Sequence, residues 1–241
     1  MTILSCGNKK EASLHIAAAA NTQFAMEALT HAFEKEIGIP CELTFSSSGK
    51  LTAQITQGAP YDIFLSADMR YPNRLHQEGL TTALPEVYAR GQLVLWTTIE
   101  GLSPDLSMLN ATEVEHIALA NPKTAPYGKA AMAVIKGKSN FENISPKLVF
   151  GESIAQTNQF IVTQAADIGF TALSVVKSPR MLTRGQWLLI PSHLYEPIEQ
   201  GLVIMNRSDS GMAKAEQFRD FLFSVKGKQI LQQFGYLVAE E

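Results

Sequence analysis

Four short segments of the sequence combine small, hydroxyl and amide residues in a way that suits the binding of an anion. They are Ala20-Asn21-Thr22, Ser46-Ser47-Ser48-Gly49, Ala125-Pro126-Tyr127-Gly128 and Gly151-Glu152-Ser153-Ile154. Each joins the end of a predicted strand to the start of a predicted helix, where the first backbone N–H groups have no partner within the helix. Such a turn also carries a partial positive charge, so the four segments together predict hydrogen-bond donation to a small anion.

The serine-rich segment resembles a phosphate-binding loop at first sight. A Walker A motif has a glycine five positions before Gly49, where this chain has Thr44, and a serine or threonine after the lysine, where it has Leu51. The segment fails both requirements. Because serines at a helix start also act as caps, two compatible interpretations remain: capping by Ser47 and anion binding by Ser48.

The other segments also have purely structural explanations. Ser153 and Gln156 have the spacing of a capping box, in which two side chains bond to backbone N–H groups at a helix start. Asn21 and Thr22 fit the role of helix caps, and a loop aromatic such as Tyr127 more often packs than binds a ligand. Four such segments in one chain, all between a strand and a helix, favour the anion-binding interpretation.

The elements that must position these segments alternate along the chain. Short apolar runs predict strands near 13–20, 41–45, 62–66, 92–96, 116–120, 147–150, 167–170, 186–190 and 199–205. Amphipathic periodicity predicts helices near 24–37, 51–58, 130–135, 153–164, 209–225 and 227–234. This alternation predicts an α/β fold with mainly parallel sheets, in which a ligand lies beyond the carboxyl ends of the strands.

The order of the elements predicts two α/β lobes. We expect residues 13–90 and 201–241 to form lobe one and residues 91–200 to form lobe two. The chain would cross near Arg90-Gly91 and return near Gln200-Gly201, where glycines suit a hinge.

Composition and motifs argue against several other functions. The chain has 241 residues, a net charge of −3 and scattered lysines and arginines, whereas nucleic-acid binders usually carry a basic patch. No apolar run reaches the ~18 residues of a membrane span. The sequence has neither a Gly-x-Ser-x-Gly elbow nor an HExxH motif, and its five histidines are widely spaced. We therefore expect no nucleic-acid partner, no catalytic residues and no site for a free metal cation.

The two cysteines lack the spacing of a zinc or redox motif. Cys41 lies in an alternating strand pattern, which predicts a buried free thiol. The segment before Gly7 resembles the end of a lipoprotein signal, in which a small residue precedes an acylated cysteine; Cys6 would then carry the lipid. The alternative is a trimmed or misassigned start in which Cys6 has no role.

Taken in order, the motifs resemble those of periplasmic molybdate-binding proteins of the type II periplasmic binding protein family. The similarity extends from about Ser13 to Tyr236, nearly the whole chain. The segments that carry it are 17–22, 45–51, 58–68, 121–128, 153–158 and 167–174.

The resemblance implies a monomeric receptor with two lobes and a hinge, located outside the cytoplasmic membrane. It would bind molybdate or tungstate without a cofactor and deliver the anion to the permease of an ABC importer. It assigns the oxyanion contacts to Asn21 and Ser48, through side chain and backbone, and to Tyr127 and Ile154, through backbone N–H groups. Some family members add a tyrosine hydroxyl where this chain has Ala172, so that contact must be absent or replaced by Asn21.

The donor-only character of the four segments agrees with this assignment. A permanently charged dianion can be held by neutral donors alone, whereas phosphate often carries a proton at neutral pH and suits a site with an acceptor carboxylate. Glu152 is the one carboxylate in these segments, and we expect it to point away. Two alternative functions stay open: an enzyme acting on a sulfated or phosphorylated metabolite, or a regulatory domain that senses an anion. Sulfate is also a candidate ligand for the site.

Overall fold

The structure, a computed structural model, describes residues 13–207 and 209–238. Within these residues the strands are β1 (Leu14–Ala19), β2 (Cys41–Ser46), β3 (Ile63–Ser66), β4 (Glu86–Gly91), β5 (Leu93–Thr97), β6 (Ile117–Ala120), β7 (Leu148–Gly151), β8 (Ile168–Ala172), β9 (Gln186–Leu189) and β10 (Ile198–Ile204). The α-helices are α1 (Gln23–Ile37), α2 (Ser48–Thr56), α3 (Arg70–Gln77), α4 (Pro126–Lys136), α5 (Phe141–Ile144), α6 (Ile154–Val162), α7 (Leu173–Val176), α8 (Asp209–Phe223) and α9 (Val225–Gln233). Cys6 lies outside the described residues.

The strands form two five-stranded sheets, one in each lobe. The order in the first is β2-β1-β3-β10-β4, and β10 is antiparallel to both of its neighbours. The order in the second is β7-β6-β8-β5-β9, and β5 is antiparallel to both of its neighbours. The other strands of each sheet point the same way. The predicted two-lobed α/β fold is therefore confirmed. Each sheet is mixed: four of its five strands point the same way, but two of its four pairings are antiparallel.

Burial along the strands follows their place in each sheet. All residues of the central strands β3, β6 and β8 are buried, as expected where helices cover both faces of a sheet. The edge strands β2, β7 and β9 keep partly or fully exposed residues. Cys41 begins the edge strand β2 and is half-buried; burial raises the pKa of its thiol to about 12.

The helix α1 holds the first candidate segment in place. A 3₁₀ turn (Ala20–Thr22) leads directly from β1 into α1. The helix buries Leu29 and Phe33 completely, and the Phe33 ring meets those of Phe218 and Phe221 edge-on at 5.2 and 5.6 Å between centroids. These contacts fix α1 between the first sheet and the helix α8.

The chain passes between the sheets twice. β4 ends at Gly91 and β5 starts at Leu93 in the other sheet; the return runs from Leu189 at the end of β9 to Ile198 at the start of β10. Gly91 and residues 198–200, which we expected in lobe two, thus belong to strands of the first sheet. We therefore propose lobe boundaries at Gln92 and between residues 189 and 198 instead of near Arg90-Gly91 and Gln200-Gly201.

Candidate oxyanion-binding site

The four candidate segments follow two pairs of neighbouring parallel strands, one pair in each lobe. The last paired residues are Ala19 and Ser46 in β1 and β2, and Ala120 and Gly151 in β6 and β7. A helix start follows each of these strand ends. The sheet topology therefore brings two helix N-termini from each lobe to the same cleft.

A small cavity lies where these helix starts meet. It is lined by Ala19, Ala20, Asn21, Ser47, Ser48, Ala67, Ala125, Pro126, Tyr127 and Ile154. The four residues selected from the sequence are all among them. About 10 Å³ of the cavity is open to the centre of a water-sized sphere, which is about the room that one water molecule needs. The cavity is therefore on the scale of one small ion and is too small for a sugar phosphate.

Each of the four selected residues has a backbone N–H group without an acceptor in the described parts of the chain. Ser48 and Ile154 are the first residues of α2 and α6, Tyr127 follows Pro126 in the first turn of α4, and Asn21 is in the 3₁₀ turn before α1. The helical bonding pattern leaves N–H groups at these positions unpaired. The cavity is therefore lined with free donors at the positive ends of helices.

The two serines at the start of α2 have different surroundings. Ser48 is 1% exposed, and its Oγ accepts a hydrogen bond from the Ala67 N–H at 3.0 Å, so its hydroxyl hydrogen can still be donated. Ser47 occupies the N-cap position, but its side chain makes no capping hydrogen bond. Its Oγ is buried without a partner among the described residues. The predicted capping by Ser47 is therefore wrong, and its hydroxyl is a further candidate donor to the cavity.

The Asn21 side chain is held within the protein. Its Nδ2 donates to Gln200 Oε1 at 2.8 Å and to the Tyr236 hydroxyl oxygen at 3.0 Å. The backbone carbonyl oxygen of Asn21 accepts from the hydroxyls of Ser174 at 2.6 Å and Tyr236 at 3.1 Å. Because both amide hydrogens are used, the donor that Asn21 still offers is its backbone N–H. The amide therefore does not supply the donor expected to replace a tyrosine at position 172.

The Tyr127 ring packs at the first crossing between the lobes. A Cβ atom at Gly91 would lie only 1.9 Å from Tyr127 Oη, so the glycine makes room for the tyrosine. The hydroxyl lies near the Asn21 side chain, but no group among the described residues meets hydrogen-bond geometry with it. Burial raises its pKa well above the ordinary value. The ring therefore serves packing, while the backbone N–H at the same residue stays free.

The start of α6 is capped as predicted, with one difference. Ser153 Oγ accepts from the Gln156 N–H at 3.5 Å, but Gln156 Oε1 accepts from the Glu152 N–H at 2.7 Å rather than from the N-cap residue itself. The Glu152 carboxylate forms an exposed ion pair with Lys50 across the cleft. It does not line the cavity, so the expectation that it points away is confirmed.

The lining of the cavity is free of charged side chains. Asp68 follows the lining residue Ala67, but its Oδ1 accepts from the Tyr71 N–H at 3.3 Å, and burial raises its pKa.

Ala172 is completely buried and lies outside the lining. In residues 13–207 and 209–238 no group of histidine, cysteine, aspartate and glutamate side chains could hold a metal ion. The site can therefore donate hydrogen bonds to an anion, and its lining offers no carboxylate to accept one.

A larger groove runs beside this cavity. Its volume is about 560 Å³, and it is lined by Gln23, Phe24, Gln156 and Arg180 among others. Arg180 is largely exposed and pairs with Glu27 at 3.5 Å. None of Asn21, Ser48, Tyr127 and Ile154 lines this groove, whereas all four line the smaller cavity, so we assign the anion to the smaller cavity.

Comparison with known proteins shows which family the chain belongs to. The model of the bacterial extracellular solute-binding protein family matches residues 14–237. The chain belongs to this family. Among relatives of this solute-binding protein, the molybdate-binding protein ModA of Azotobacter vinelandii is 38% identical over 97% of this chain and 93% of its own length. ModA of Rhodobacter capsulatus is 36% identical over 92% of this chain and 86% of its own length.

A solved structure supports the same grouping for this solute-binding protein. The periplasmic molybdate-binding protein of Azotobacter vinelandii superposes with a TM-score of 0.88 and 32% identity, covering 95% of this chain and 100% of that one. The resemblance to molybdate-binding proteins and the two-lobed fold are thereby confirmed. No helix in the described part of the solute-binding protein is long and apolar enough to cross a membrane.

Proposed function

We propose that this solute-binding protein binds molybdate, and tungstate equally, for delivery to the membrane permease of an ABC importer. The observation that carries the proposal is the small cavity between four strand-to-helix turns, whose lining offers free N–H groups and no charged side chain. The names of its relatives from Azotobacter vinelandii and Rhodobacter capsulatus support the same ligand.

The proposed contacts come mainly from the backbone. The N–H groups of Asn21, Ser48, Tyr127 and Ile154 would each donate to the oxyanion, and so would the hydroxyls of Ser47 and Ser48. Hydrogen bonds to a charged group contribute about 1.5–3 kcal/mol each. A set of this size can hold a dianion without a cationic side chain.

The chemistry of the lining favours simple binding over catalysis. Its polar side chains belong to Asn21, Ser47, Ser48 and Tyr127, and none of these is paired with a general base in the described structure. A nucleophile requires such a base or a lowered pKa, whereas the Tyr127 pKa is raised by burial. We therefore propose a non-enzymatic receptor that needs no cofactor, acts as a monomer and has no nucleic-acid partner.

The proposed location follows from the proposed role. A receptor for an importer works outside the cytoplasmic membrane, and a lipid on Cys6 would tether it there. Mass spectrometry of the protein from its native membrane tests the anchor: a diacylglyceryl mass on Cys6 supports it, and an unmodified Cys6 behind an intact Met1 contradicts it.

Calorimetric titration with a panel of oxyanions tests the function. We expect one site per chain, similar affinities for molybdate and tungstate, and much weaker binding of sulfate and phosphate. Absence of heat with both molybdate and tungstate would refute the proposal. Sulfate binding as tight as molybdate binding would assign the site to sulfate instead.

A further inference from the structure

A cluster of direct contacts joins the two lobes at the rim of the cavity. The Gly49 N–H donates to the Thr124 carbonyl oxygen at 2.9 Å. The Tyr71 hydroxyl donates to the Lys123 carbonyl oxygen at 3.2 Å. Gly49 follows Ser48 at the start of α2, and residues 123–124 lead into α4. The contacts therefore connect segments that carry a helix start from each lobe.

The Tyr71 hydroxyl is held in position from its own lobe. The side chain is almost fully buried in a cluster with Leu51, Phe64 and Leu75. Arg70 Nη2 donates to the hydroxyl oxygen at 2.6 Å, and the Arg70 guanidinium carbon lies 4.3 Å from the centre of the ring. The oxygen thus accepts from Arg70 while its hydrogen points to the other lobe.

Gly49 allows the lobes to approach this closely. A Cβ atom at this position would lie 2.7 Å from Tyr71 Oη and 3.1 Å from the Cα and Cβ atoms of Thr124. Thr124 belongs to the other lobe and its Cα is part of the backbone, so a side chain at position 49 would press the two lobes apart at this point. Tyr71 belongs to the same lobe as Gly49, so its contact with the added atom would be relieved by a shift within that lobe.

We propose that Gly49 and Tyr71 form a closure latch that holds the lobes together around the bound anion and sets the rate at which the anion leaves. This inference rests on the proposed function, because it places the latch beside a molybdate site. Neither residue lines the cavity, so both act by positioning the lobes rather than by touching the ligand. The apparent affinity of a receptor scales with the fraction of molecules in the binding-competent state, and the latch raises that fraction.

The first test compares two hydroxyl deletions by stopped-flow kinetics with molybdate. Tyr71→Phe removes the bond to Lys123 and keeps the ring, so we expect molybdate to dissociate about three- to tenfold faster, with little change in association. The matched control is Tyr61→Phe, because the Tyr61 hydroxyl bonds to Gln54 at 3.1 Å on the exposed surface of the same lobe. Equal dissociation rates for Tyr71→Phe and the parent overturn the latch.

The second test uses Gly49→Ala, which obstructs closure without removing a side chain. Alanine is favoured over glycine in a helix, but its Cβ also meets Tyr71 Oη within the same lobe, so the ligand-free melting temperature should fall slightly while unfolding stays cooperative. Molybdate affinity should fall about tenfold or more. Parent-like affinity overturns the latch. Loss of the cooperative unfolding transition in the ligand-free variant also counts against it, because misfolding would then explain the loss of affinity.

Small-angle scattering separates failure of the latch from failure of the proposed function. If the parent binds no molybdate, the proposed function falls, and the ligand-free proteins still test the latch. We expect a larger radius of gyration for Gly49→Ala than for the parent. An unchanged radius overturns the latch whatever the ligand is.

Discussion

The hydroxyl oxygen of Ser48 accepts a hydrogen bond from the backbone N–H of Ala67 at 3.0 Å. The bond ties the start of α2 to the turn after β3, and both residues line the cavity. Ser48 therefore has a structural task in addition to its proposed contact with the anion. The hydroxyl of Ser47 has no such partner among the described residues, so the two serines can be told apart by experiment.

Ser48→Ala should lower both stability and affinity. It leaves the buried Ala67 N–H without its acceptor, which costs about 1–3 kcal/mol of the free energy of unfolding. It also removes one donor to the anion, so molybdate affinity should fall about ten- to hundredfold. Urea unfolding without ligand and calorimetry with molybdate measure the two effects. Unchanged stability would contradict the role of the Ala67 bond, and unchanged affinity would contradict the site.

Ser47→Ala should lower affinity alone. Its hydroxyl is buried without a hydrogen-bond partner in the described residues, so its removal should leave the ligand-free melting temperature the same or slightly higher. The stabilisation added by molybdate should shrink, because ligand stabilisation follows the affinity. A thermal shift series with rising molybdate concentration measures both quantities. A drop in the ligand-free melting temperature with full molybdate stabilisation would show that Ser47 is structural.

Tyr127→Phe should leave molybdate binding unchanged. The Tyr127 hydroxyl is buried without a partner in the part of the chain that the structure describes, and the proposed contact of this residue is its backbone N–H. Removing an unsatisfied buried hydroxyl is neutral or stabilising. We therefore expect an affinity within about twofold of the parent and a melting temperature that does not fall. A large loss of affinity in calorimetry would mean that the hydroxyl itself contacts the anion.

Molybdate affinity should be nearly constant between about pH 6 and pH 9. Backbone N–H groups and serine hydroxyls do not titrate in this range. Burial raises the pKa values of Tyr127 and Tyr236; since a raised tyrosine pKa favours the neutral form, both hydroxyls stay protonated throughout. Calorimetry at several pH values checks this. A tenfold change per pH unit would reveal a titrating group in the site.

The sequence predicted the parts of the fold that depend on local pattern. The strands β1, β6 and β8 and the helices α1 and α6 have clear apolar periods and lie within a few residues of their predicted ranges. α3 was not predicted, because its eight residues contain Pro72 and bury few apolar side chains. α7 was missed because Leu173–Val176 continues the apolar run of β8 and has the length of a single turn.

The candidate site was predicted at the level of segments but not of atoms. Free N–H groups at helix starts follow from the strand–helix order, which indicated the four segments. The choice of residues such as Ile154 within those segments rested on the resemblance to molybdate-binding proteins. The orientation of a short side chain depends on its neighbours in three dimensions. The unpaired Ser47 hydroxyl and the Asn21 amide turned to Gln200 arise from contacts that no local pattern encodes. The same holds for the contacts of Tyr71 across the cleft.

A crystal structure of the molybdate complex, with data collected to reveal the anomalous scattering of molybdenum, tests the central claim most directly. We predict one molybdenum peak in the cavity between Ser48 and Ile154, with backbone N–H groups of both lobes and no carboxylate within hydrogen-bonding distance of the oxygens. A peak in the neighbouring groove beside Arg180, or an ion held by charged side chains, would contradict the account.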